Sequence, residues 1–89
     1  MITLALFVLV NYPIPEAECG HLAGIVEGFA LVENPDAQLD IYLDADPGNL
    51  EKYVKAFDLS QSYLGTPAER GARANAECLL ANRNPKVDV

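Results

Sequence analysis

Nine residues near the start of the chain, Ile2 to Val10, are apolar apart from Thr3, and this run constrains the fold more than any other feature. It is too short to cross a membrane as a helix, which takes about 20 residues. A secretory signal would carry basic residues ahead of such a run, but Lys52 is the first base in the chain. Pro13 and Pro15 close the segment, and proline lacks the N–H that a continuing ladder or helix needs. The segment Thr3 to Tyr12 therefore reads as a buried strand. Its two faces, Leu4, Leu6, Val8, Val10 and Thr3, Ala5, Phe7, Leu9, are both largely apolar. A soluble, cytoplasmic protein is expected.

A second strand is expected at Ala37 to Ala45, where Ala37, Leu39, Ile41, Leu43 and Ala45 alternate with Gln38, Asp40, Tyr42 and Asp44. Between these two, residues 15–33 match a helical stripe at Leu22, Ile25, Val26 and Phe29. Gly20, Gly24 and Gly28 weaken that reading. The alternative is a strand that turns at Asn34-Pro35-Asp36 into the next as an antiparallel hairpin.

Two helices are expected to follow. The first opens at Asp46-Pro47, a cap followed by proline, and carries Leu50, Tyr53, Val54 and Phe57. The second opens at the capping box Thr66-Pro67-Ala68-Glu69, with Ala68, Ala72, Ala76 and Leu79 facing inward. The expected fold class is α+β: one small domain spanning 1–89, with a two- or three-stranded sheet packed on two C-terminal helices. Its expected core is Leu4, Leu6, Val8, Val10, Leu39, Ile41, Leu43, Tyr53, Val54, Phe57 and Leu79.

Charge is unevenly placed. Residues 1–51 carry nine acids and no base, a sum of −9, whereas residues 52–89 carry four acids and six bases, a sum of +2; together these make the net −7. A field of the first sign repels phosphate backbones and attracts basic surfaces, so direct nucleic-acid binding is not expected. Cys19 and Cys78 are too few for a secreted disulfide scaffold. They read as two reduced, half-buried thiols, although a disulfide between them is possible.

No motif specifies a reaction, and no cofactor or metal is expected. Asp40, Asp44 and Asp46 could hold a divalent cation, but their spacing is not that of a calcium loop. Cys19-Gly20-His21 holds a thiol and an imidazole. On a helix, residues two apart point about 200° away from each other and cannot act as a pair. The glycines at 20, 24 and 28 match no phosphate-binding loop.

The expected function is thus non-enzymatic. The chain reads as a protein-interaction module whose acidic face, Glu33, Asp36, Asp40, Tyr42 and Asp44, docks on a basic surface of another protein. A sharper version is an inhibitor that occupies a nucleic-acid-binding surface of that partner. The alternatives are a small enzyme or enzyme subunit with an acidic divalent-metal site, and a structural homodimer formed over the spare face of strand 3–12.

Overall fold

Residues 13–83 are described by the structure, a computed structural model. Among them every regular element is helical: α1 (Cys19–Leu31), α2 (Pro35–Ala45), α3 (Leu50–Ser62) and α4 (Pro67–Arg83), with 3-10 turns at Glu16–Glu18 and Pro47–Asn49. The α+β expectation is therefore corrected to an all-α fold. The strand expected at 3–12, its core residues Leu4, Leu6, Val8 and Val10, and the dimer face drawn from it lie outside the described residues.

Helix starts explain most of this architecture. Asn34 does not turn a hairpin. Its side chain accepts a hydrogen bond from the Ala37 N–H at 3.2 Å, and Pro35 takes the first helical position, where a missing N–H costs nothing. Residues 35–45 are thus a helix, not the strand that their alternation suggested. Thr66 and Glu69 form the expected reciprocal box: the Glu69 N–H donates to Thr66 Oγ1 at 3.1 Å, and the Thr66 N–H donates to Glu69 Oε1 at 2.8 Å. Gly65 precedes it with φ +112°, a conformation that favours glycine.

The core is centred on α1, which buries Leu22, Ile25, Val26 and Phe29, the stripe expected for the helical reading of 15–33, together with Cys19. Helix α3 adds Tyr53, Val54, Ala56 and Ser60. Phe57, Leu79, Leu39 and Leu43 are partly buried against this cluster. Ile41, expected in the core, is 60% exposed.

Helix α4 meets α1 through Gly71, Ala74 and Cys78. Ala68, Ala72 and Ala76, expected inward, are exposed. A Cβ on Gly71 would lie 2.9 Å from the Ala23 carbonyl oxygen, so the two helices touch almost backbone to backbone there. Two turns further along, Cys78 is joined to Cys19 by a disulfide, with Cα atoms 5.7 Å apart and a sequence separation of 59. The reading of two reduced thiols is corrected accordingly.

Candidate docking face on helix α2

Helix α2 buries no residue completely. It lies on the bundle by one side only, and the polarity of its two sides follows from the 3.6-residue turn. Leu39, Tyr42 and Leu43 pack inward. The Tyr42 ring stacks on Tyr53 at 4.8 Å between centroids, with planes 7° apart, and meets the edge of Phe29 at 5.4 Å. Offset and edge contacts of this kind suit the ring quadrupole. Tyr42 is therefore not the exposed centre of the acidic face: on a helix it belongs to the stripe opposite the aspartates.

Asp36, Asp40 and Asp44 recur at every fourth position and are all exposed, together with Ala37, Ile41 and Ala45. Glu33, just before the helix, is exposed as well. Three of the five expected site residues, Asp36, Asp40 and Asp44, thus share the outer side of α2, and Glu33 is exposed just ahead of it. The apolar group among them is Ile41, which alternation alone had assigned to the core.

Asp46 leaves this row. It caps the end of α2, where its backbone N–H donates to the Tyr42 carbonyl. Its Oδ2 accepts from Asn49 Nδ2 and from the Tyr53 hydroxyl, each at 2.9 Å. These two bonds hold its carboxyl below the usual aspartate range. The aspartates at 40, 44 and 46 do not converge, and among the described residues no three His, Cys, Asp or Glu side chains gather as metal ligands would.

Three of the bases are engaged elsewhere in the bundle. Lys52 is buried and points into the bundle, where its Nζ donates to Glu18 Oε1 at 3.0 Å and lies 2.8 Å from His21 Nδ1. Arg73 bonds Glu77 at 3.0 Å and sits over the Tyr63 ring at 4.6 Å. Arg70 donates to the carbonyls of Gly65 and Ser60. His21 is exposed while Cys19 is tied in the disulfide, so these two residues do not form a nucleophile and base.

Set against protein-family models, curated proteins and solved structures, the chain matches none.

Proposed function

We propose that this domain is a protein-interaction module that docks by the outer side of α2 onto a basic surface of another protein. The observation that supports it is the row Asp36, Asp40 and Asp44 beside the exposed Ile41, in a region without a Lys or Arg between residues 13 and 51. Like charges in a row repel one another and disfavour the compact state. Their gathering on one helix face is better accounted for by a partner than by folding. Carboxylates around an apolar side chain suit a partner site with a Lys/Arg rim and a small apolar hollow, because the charges steer the encounter and the buried side chain anchors it.

Spacing weighs against the narrower nucleic-acid-mimic version. Residues four apart on a helix are about 6 Å apart along its axis, whereas one DNA strand carries a phosphate about every 3.4 Å. The row therefore has about half the linear charge density of a strand. A divalent-metal enzyme is favoured less still, because Asp46 is engaged with Asn49 and Tyr53.

Photo-crosslinking from position 41, with the equally exposed Leu80 as the control position, tests the reading. The segment captured from position 41 is expected to be rich in Lys and Arg around an apolar centre. Affinity for that captured partner should fall steeply with added salt. The triple change Asp36→Asn, Asp40→Asn, Asp44→Asn should flatten the salt dependence, and Ile41→Ala should cost about 1–2 kcal/mol of binding. Capture from position 80 alone, or an affinity indifferent to salt and to the aspartates, would remove α2 from the interface.

A further inference from the structure

We propose that the Cys19–Cys78 disulfide is a structural clasp that holds α4 on α1, and that the working form of the protein is the one made in an oxidising compartment. Disulfides persist in such compartments and are rare in the cytoplasm, so this replaces the cytoplasmic setting expected from composition.

The clasp lies on the seam where α1 and α4 approach almost backbone to backbone at Gly71. The seam is lined on the α4 side by Gly71, Ala74 and Cys78, small residues that let the two helices lie close. The bond ties the first residue of α1 to the last third of α4 and so closes the domain nearly end to end. Both cysteines are buried, Cys19 at 1% and Cys78 at 8% exposure. The Asn82 side chain lies over them: its Nδ2 donates to the Ile14 carbonyl at 3.0 Å and to the Cys78 carbonyl at 2.9 Å, within 3.8 Å of Cys19 Sγ. The same bond to Ile14 draws the segment before α1 onto α4.

Closure is a thiol–disulfide exchange with a small-molecule disulfide as the oxidant. The Cys78 thiolate attacks the oxidant and expels one thiolate from it. The Cys19 thiolate then attacks the Cys78 sulfur of the mixed disulfide and expels the second. One S–S bond is broken and one is formed; the chain gives up two protons and two electrons, and the oxidant leaves as two thiols. Opening is the reverse, with a dithiol as the reductant. Opening lengthens the unfolded chain's reach, because a loop of this size is no longer closed. In the chain-entropy view this moves the unfolding equilibrium by about a thousandfold.

The test uses the full chain, purified without reductant. Intact mass should show it two hydrogens lighter than the reduced chain. Denaturant unfolding with and without a phosphine reductant should differ by about two to three orders of magnitude in the unfolding constant. The variant carrying Cys19→Ser and Cys78→Ser should behave like the reduced wild type and ignore the reductant. Free thiols in the purified chain would overturn the proposal. So would unfolding curves that coincide with and without reductant, or a reductant effect that persists in the serine variant.

Discussion

Gly71 and Gly24 should answer the same substitution with opposite signs. Alanine is favoured over glycine by about 1 kcal/mol inside a helix. At Gly24 an added Cβ meets nothing within 4 Å, so Gly24→Ala should stabilise by up to about that amount. At Gly71 the added Cβ meets the Ala23 carbonyl oxygen at 2.9 Å, and a backbone atom cannot swing aside. Overpacking of this kind costs about 1–3 kcal/mol, so Gly71→Ala should be destabilising on balance. Urea unfolding of both variants reads the two signs. Tyr63 gives a second residue-scale expectation. Burial, and then its hydrogen bond to Glu77 at 2.7 Å, push its hydroxyl from 10.0 up to about 12. The folded state therefore holds this proton more tightly than the unfolded chain. The associated stability is fully present below pH 10.0 and is lost as the pH rises toward about 12. Stability measured across that window should fall for the wild type and fall less for Tyr63→Phe, which has no phenol at this position to titrate. Equal slopes would mean that Tyr63 is not coupled to folding.

At the scale of elements, much of the chain was legible, and the misreadings have specific causes. The stripe Leu22, Ile25, Val26, Phe29 identified α1, because four large side chains on one face outweigh the glycines, two of which, Gly20 and Gly24, merely face water. Asp46-Pro47 opens only the 3-10 turn ahead of α3, and the Asp46 side chain bonds Asn49 and Tyr53 rather than capping the helix, whereas Thr66-Pro67 marked the start of α4. Asn34-Pro35 is the same signal, a capping side chain followed by proline, and was read as a turn because the segment after it alternated so well. That alternation rested on little. Ala37 and Ala45 tolerate either environment, which leaves Leu39, Ile41 and Leu43, and a helix needs only Leu39, Tyr42 and Leu43 to cover one side. The rotation of α4 was hidden for a different reason. Alanines at 68, 72 and 76 are only weakly hydrophobic, so the close approach at Gly71 and the bond at Cys78 orient the helix instead. No local pattern announces a contact made 59 positions away. The aspartates at 36, 40 and 44 share one side in either period, so their grouping was legible; the wrong period misplaced Tyr42 and Ile41 instead.

Across the whole molecule, these features make a small helical bundle with an asymmetric surface. The first half of the chain supplies the central helix and an acidic outer one; the second half supplies the Lys and Arg residues, of which Lys52, Arg70 and Arg73 are engaged within the bundle. The central claim is that folding turns Tyr42 inward and leaves Ile41 outside among the aspartates. Chemical denaturation of Tyr42→Ala and Ile41→Ala tests it most directly, since the strand and helix periods place these neighbours on opposite sides. Tyr42→Ala removes a ring stacked on Tyr53 and packed on Phe29 and should cost about 2–4 kcal/mol. Ile41→Ala should stay within about 0.5 kcal/mol, as a surface change does. The reverse order, with Ile41→Ala costly and Tyr42→Ala nearly neutral, would contradict the helix at 35–45 and the docking face built on it.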